Sequence, residues 1–121
     1  MDFNLESSRP IWQQLAAQLR RKIVTGVWAA GERGPSVRDL AAEAGVNPNT
    51  MQRALAQLES DGLVITNRTA PRTVTEDITV LEDMRRALAA EQVANYFNEM
   101  NALGFTAAEA AAMAQAEGSK E

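Results

Sequence analysis

The sequence of 121 residues contains neither cysteine nor histidine. Without cysteine the chain can form no disulfide and no thiolate metal site. Without histidine it lacks the commonest general base and a common metal ligand. Since no other constellation of side chains takes their place, we expect neither an enzyme nor a bound cofactor.

Long apolar runs are missing as well. No stretch approaches the ~20 residues that a membrane-spanning helix needs. Residues 1–6 are acidic, whereas a signal peptide begins with basic and then apolar residues. We therefore expect a cytoplasmic protein with no membrane partner.

Excess positive charge, the usual mark of a nucleic-acid-binding protein, is absent from the chain as a whole, whose formal net charge is −4. The two parts of the chain differ, however. Residues 1–75 contain nine Lys and Arg against seven Asp and Glu, a net charge of +2, whereas residues 76–121 contain three against nine, a net charge of −6. This asymmetry indicates two functional segments, of which only the first suits contact with phosphate.

The most informative segment spans residues 35–55 and predicts two short helices joined by a tight turn. Ser36 is a good N-cap for the first helix, and Gly45 suits the left-handed position after its end. Asn47 and Pro48 are favoured at the cap and the first position of the next helix. Such a pair is typical of the helix-turn-helix that places side chains in the major groove, although an ordinary helical hairpin has the same outline.

The rest of the chain predicts a mainly α fold with one small β-hairpin. A first helix capped by Ser8, with Pro10 just inside it, ends at Gly26, and a turn-rich connection leads to the helix-turn-helix. Short β-branched stretches at 63–66 and 73–75 indicate a hairpin directly after the second helix of the motif, in the place of a wing. We expect a winged helix-turn-helix domain over residues 1–75, followed over 76–121 by two further helices, 77–103 and 107–116, with the apolar pattern of the first interrupted at residues 91–92.

Taken together, these segments resemble the GntR superfamily of bacterial transcription regulators, and within it the short YtrA-type branch. The resemblance depends on the order and spacing of Pro10–Leu15, Ile23–Gly26, Pro35–Ala41, Val46–Thr50 and Leu58–Val64. It implies a winged helix-turn-helix that binds a double-stranded DNA operator as a homodimer and regulates an operon, often one that encodes a transporter. Two features depart from the family pattern: Gly34 stands where a large aliphatic residue is usual, and the wing has Thr69, Pro71 and Thr73 where glycines and an aromatic residue are usual.

The candidate DNA-binding residues gather around the helix-turn-helix. Arg38 matches the family arginine that approaches the major groove, where its planar fork suits guanine, although it could instead pair with Asp39 or Glu43. Gln52 could hydrogen-bond adenine or stay solvated, Arg53 could contact guanine or phosphate, and Thr50 could contact phosphate or a thymine methyl group. A surface role is as plausible as minor-groove contact for the two wing arginines. The full set of candidates is Ser36, Arg38, Asn47, Asn49, Thr50, Gln52 and Arg53, with Arg68 and Arg72 in the wing and Arg9 and Arg33 as phosphate neighbours.

In residues 76–121, here called the tail, the helix predicted over 77–103 has an apolar stripe. The last helix is too short to cover this stripe, and a dimer would bury it. We expect dimerisation through Leu81, Met84, Leu88, Tyr96, Phe97, Met100 and Leu103. A small-molecule effector could bind between subunits, since the 46 residues of one tail are few to enclose a ligand pocket within a single subunit. The leading hypothesis is a sequence-specific repressor; the alternative is a protein-interaction module whose tail recruits another factor, with only secondary DNA contact.

Overall fold

The computed structural model describes residues 1–67 and 70–120. Along this part of the chain the helices are α1 (Ile11–Val24), α2 (Val37–Ala44), α3 (Pro48–Ser60), α4 (Ile78–Ala102) and α5 (Ala107–Gly118), and the strands are β1 (Val64–Asn67) and β2 (Ala70–Val74). The predicted mainly helical fold with one hairpin is therefore confirmed. The chain forms two compact units, Met1–Arg85 and a second that begins at Arg86.

The core of the first unit joins α1, α2, α3 and the hairpin. Its largest fully buried side chains are Leu15, Leu19, Trp28, Leu40, Met51, Leu55, Leu58, Leu63 and Val74. Burial of these side chains is the main source of stability, since each contributes about 1.5–3 kcal/mol relative to exposure. Because α3 carries three of them on one face, its other face is left to polar residues.

The ends of α2 and α3 follow the predicted local chemistry. Ser36 Oγ accepts a hydrogen bond from the Asp39 backbone N–H at 3.1 Å. Gly45 takes φ = 70°, which lets the Val46 N–H turn back to the Ala41 carbonyl at 3.0 Å. Asn47 Oδ1 accepts from the Asn49 N–H at 2.8 Å, at the start of α3. The predicted helix-turn-helix is therefore fixed by caps at both sides of the turn.

The start of α1 was predicted incorrectly. Pro10 is the N-cap residue, with φ = −54° and ψ = 126°, and no side chain caps the helix. Ser8 lies before this extended residue and so plays no part in the helix. The helix begins at Ile11 because the extended Pro10 separates it from the preceding turn.

An extended N-terminal segment lies along α1, held by two glutamines one turn apart. Gln18 exchanges two hydrogen bonds with the backbone of Asn4, at 2.9 and 2.6 Å. Gln14 does the same with Glu6, at 2.8 and 2.7 Å, and its Nε2 also donates to the Arg9 carbonyl at 3.0 Å. The spacing fits because four helical residues advance about 6 Å, close to the advance of two extended residues.

The hairpin has a neighbour that the sequence did not indicate. β1 and β2 pair antiparallel, with Val64 opposite Val74 and an irregularity between Ile65 and Asn67. The other edge of β2 pairs with the segment between α1 and α2, which the sequence indicated only as a turn-rich connection. The Gly31 N–H donates to Val74 O at 2.9 Å, and the Gly34 N–H donates to Arg72 O at 2.9 Å. Backbone hydrogen bonds therefore reach β2 from both sides.

Gly34 has a structural explanation in the packing of Trp28. A Cβ atom at position 34 would lie 2.3 Å from Trp28 Cζ2. Trp28 is 1% exposed, and its Nε1 donates to the Glu32 carbonyl at 3.1 Å. The indole ring thus occupies the space next to the backbone of residue 34, where any side chain would collide with it.

The second unit pairs the C-terminal part of α4 with α5. α4 runs without a break through Glu91 and Gln92, so the irregular apolar pattern there does not interrupt the helix. α5 begins with a capping box, in which Thr106 and Glu109 exchange hydrogen bonds of 2.9 and 3.1 Å. These bonds lower the pKa of Glu109.

The first turns of α4 belong to the first unit. Val80, Leu81 and Met84 are partly buried against the core of that unit. Part of the surface of Leu81 and Met84, which we expect at a dimer interface, is therefore already covered within their own chain. No helix among the described residues is long and apolar enough to span a bilayer.

Candidate nucleic-acid interface

Arg38 is the second residue of α2 and its side chain is exposed. Within residues 1–67 and 70–120 no hydrogen bond or ion pair engages its guanidinium. The two acids that could neutralise it are not bonded to it: Asp39 lies exposed in the first turn, and Glu43 pairs with the amino group of Met1 at 2.9 Å. Its five N–H donors are therefore open to a ligand in solvent.

The first turns of α3 present a polar surface next to this arginine's helix. Asn49, Gln52 and Arg53 are exposed, and their spacing places them on one side of the helix. Thr50 is half-buried. The opposite side is buried and consists of Met51, Ala54, Leu55 and Leu58.

Two candidates, Ser36 and Asn47, have their side-chain oxygens engaged by backbone N–H groups at helix starts. They set the positions of α2 and α3. Any contact of theirs with DNA would have to use their remaining hydrogen-bonding groups.

Arg53 has a contact that the sequence did not indicate. Its guanidinium carbon lies 4.2 Å from the centre of the Trp12 ring, which makes a close cation–π pair between α3 and α1. Trp12 is only half-buried. Forty-one positions separate the two residues, and local periodicity cannot reveal such a pair.

Arg72 is tied to α3. Its Nε donates to Glu59 Oε1 at 2.7 Å, and its side chain is 16% exposed. Thr66 Oγ1, in β1, donates to the same carboxylate oxygen. The hydrogen bond from Thr66, followed by that from Arg72, lowers the pKa of Glu59 against the opposing effect of burial. The structure thus uses Arg72 to join the hairpin to α3, whereas the sequence suggested a residue at the wing tip.

The remaining candidates are peripheral. Arg9 is exposed, and its Nη2 lies 3.4 Å from Glu6 Oε2 in an ion pair. Arg33 is exposed in the segment that pairs with β2, opposite Thr73. Arg68 and the wing position Thr69 lie outside the described residues. Arg38, Asn49, Gln52 and Arg53 are thus the polar candidates that two packed helices hold at the surface.

Three helices, a hairpin after the third, and exposed polar side chains at the start of that helix together define a winged helix-turn-helix. The family model "Bacterial regulatory proteins, gntR family" matches residues 11–74. The chain is 33% identical over 106 residues to the HTH-type transcriptional regulator YhcF of Bacillus subtilis, with 88% of each protein covered. It therefore belongs to the GntR family of transcription regulators, which contain a DNA-binding domain and are not enzymes.

Further similarities extend through the tail. The HTH-type transcriptional repressor YtrA of Bacillus subtilis is 33% identical over 88 residues, which cover 72% of this chain and 68% of that protein. Among solved structures, a GntR family transcriptional regulator from Listeria monocytogenes superposes with a TM-score of 0.83 at 34% identity, covering 92% of this chain and 97% of that one.

Proposed function

We propose that this regulator is a repressor that binds an inverted-repeat operator in the cytoplasm as a homodimer. The observation that supports the proposal most strongly is Arg38, because its exposed guanidinium has no partner among the described residues and lies at the start of α2, beside the polar start of α3. It reads a guanine through a bidentate contact, while Asn49 and Gln52 read neighbouring base edges. The similarity to the repressor YtrA favours repression over activation.

Contacts to the DNA backbone come from the surrounding residues. Thr50 and Arg53 lie on α3, Ser36 and Asn47 hold the helix starts, and Arg9, Arg33, Arg68 and Arg72 are weaker candidates for phosphate contacts. Since residues 1–75 carry a net charge of only +2, affinity depends on a few placed contacts and on two copies binding together. Residues 1–75 thus supply DNA recognition and residues 76–121 dimerisation.

The dimer uses the second unit. The C-terminal part of α4 carries three half-buried side chains, Tyr96, Phe97 and Met100, and the exposed Leu103 follows directly after the helix. Leu88 is also half-buried and lies about two turns before Tyr96. An open groove of about 560 Å³ is lined by Tyr96 and Met100 together with Met113, Ala114, Ala116 and Glu117. A second copy would cover this apolar surface and set two α3 helices on successive major grooves, about 34 Å apart.

A substitution in the full-length chain tests this interface. Leu103→Glu places a charge on the apolar surface and should shift the protein from dimer to monomer in sedimentation equilibrium. Asn98→Glu adds the same charge at an exposed polar position within α4 and should leave the dimer intact. Equal association of both variants would contradict an interface at Leu103.

The DNA-reading role is tested at Arg38 with an operator obtained by binding-site selection. Arg38→Ala should weaken operator binding about ten- to a hundredfold, corresponding to the ~1–3 kcal/mol of a bidentate base contact, with much less effect on random duplex. Arg38→Lys should not restore it, because an ammonium group lacks the planar fork. An equal loss on operator and random DNA would show that Arg38 contacts only phosphate.

The alternative is a protein-interaction module, and two measurements separate it from a repressor. A repressor should select an inverted repeat and bind it with a steep dependence on salt. A single asymmetric site or a salt slope near zero would favour the interaction module. Control of a transporter operon is a further proposal, which a genome search with the selected operator would test. An effector bound between subunits is another.

A further inference from the structure

Arg53 differs from the other arginines near α3 in how its side chain is held. Arg72 and Arg20 are bound to carboxylates, at 2.7 Å to Glu59 and 2.9 Å to Asp61. Arg53 is instead stacked on the Trp12 ring, and in the described part of the chain no acid or carbonyl accepts a hydrogen bond from it. The stack therefore orders the guanidinium without neutralising it.

This arrangement has a chemical consequence. A guanidinium that lies over an aromatic face makes contact through its plane, whereas its five N–H donors point outward within that plane. The long side chain would otherwise have to be ordered when a ligand binds, at a cost in affinity for each immobilised side chain. Stacking on Trp12 removes part of that cost beforehand, and no described residue accepts a hydrogen bond from the guanidinium.

We propose that Trp12 is a positioning residue that pre-orders Arg53 to bind a phosphate of the operator backbone. The inference rests on the proposed DNA-binding role of α3. Trp12 is a residue of α1, so the stack holds the guanidinium against α1. This favours an acceptor on the DNA backbone over a base edge in front of Asn49 and Gln52.

A double-mutant cycle tests the coupling in the full-length protein. Arg53→Ala should weaken binding to the selected operator about tenfold in the wild-type background and only about twofold in the Trp12→Leu background, because without the ring the arginine is no longer pre-ordered. Arg38→Ala is the matched control, since no contact within the described residues joins Arg38 to Trp12, and its effect should be the same factor in both backgrounds. Equal effects of Arg53→Ala in both backgrounds, or no effect in the wild type, would overturn the proposal.

The phosphate assignment has its own readout. Arg53→Ala should weaken binding to random duplex by the same factor as binding to the operator. The slope of log affinity against log salt concentration should become shallower by about one. A loss confined to the operator would overturn the assignment to phosphate. If Arg38→Ala is also without effect on operator binding, the proposed function itself fails; if only the Arg53 cycle shows no coupling, the failure is confined to Trp12.

The variants at Trp12 are chosen so that a loss of folding is not mistaken for a loss of the contact with Arg53. Trp12→Leu keeps an apolar side chain at a half-buried position, and thermal unfolding should confirm its fold. Should it unfold at the assay temperature, Trp12→Phe serves in its place. This variant keeps an aromatic face and should retain part of the coupling, so that Arg53→Ala costs more in it than twofold and less than tenfold; a full tenfold loss, equal to wild type, would count against a role for the indole.

Discussion

Gly34→Ala should destabilise the first unit, although the same change at most unstrained glycines stabilises a protein. The glycine has no positive φ, so alanine fits the backbone and would gain about 0.4–1 kcal/mol through the unfolded state. Against this gain, the new Cβ would lie 2.3 Å from Trp28 Cζ2, where ordinary contact begins at 3.4 Å. One of the two groups must move by about 1 Å.

Neither group can move freely. The ring is 1% exposed and its Nε1 is hydrogen-bonded to Glu32 O, while the Gly34 N–H is bonded to Arg72 O. Overpacking in a fixed site costs about 1–3 kcal/mol, and the small freedom here favours the upper half of that range. The net loss should be about 1–2.6 kcal/mol, or roughly 4–20 °C in melting temperature for a unit of this size.

Tryptophan fluorescence during urea unfolding is the appropriate assay, because Trp12 and Trp28 both belong to the first unit. The unfolding midpoint of Gly34→Ala should fall with an unchanged slope. In the Trp28→Phe background, which lacks the outer edge of the indole, the same substitution should cost much less. A midpoint that stays or rises in Gly34→Ala, or an equal loss in both backgrounds, would refute the steric explanation.

Two further predictions concern the contacts that hold other segments to the first unit. Glu59→Gln should lower the free energy of unfolding by about 1 kcal/mol at pH 7 through loss of the charged hydrogen bonds from Arg72 and Thr66. Since the pKa of Glu59 is lowered in the folded state, the stabilisation is complete above its ordinary pKa of 4.5 and is lost as the pH falls through the native value, so the two proteins should converge in acid; a difference that persists unchanged at low pH would contradict this. Gln14→Ala should cost about 1–3 kcal/mol and speed hydrogen exchange at the Glu6 amide, whereas the exposed Gln13→Ala should change neither.

Features that depend on neighbouring residues could be predicted from the sequence. The caps at Ser36, Asn47 and Thr106 and the helix-ending Gly45 each follow from chemistry within three or four residues. The same reasoning failed at Ser8, because Pro10 adopts an extended conformation that ends the influence of the preceding residues. The uninterrupted α4 shows the converse, since its backbone hydrogen bonds do not require a regular apolar pattern.

Features that depend on distant residues could not be predicted. The stack of Arg53 on Trp12 and the link from Arg72 to Glu59 join elements whose packing only the folded chain defines. A basic residue looks the same in a sequence whether its charge is free, stacked or paired. For the candidate site, the sequence therefore indicated which positions of α2 and α3 are polar and exposed, but it could not distinguish the arginines by the contacts that hold them.

The two helix caps divide the proposed recognition surface into positions that can be substituted and positions that the fold requires. Replacing Ser36 or Asn47 would leave a backbone N–H unpaired and cost about 1 kcal/mol at each helix start. Arg38, Asn49 and Gln52 have exposed side chains with no such duty, so their replacement leaves the turn intact. A combinatorial library for new operator specificity should therefore vary positions 38, 49 and 52 and keep positions 36 and 47 fixed.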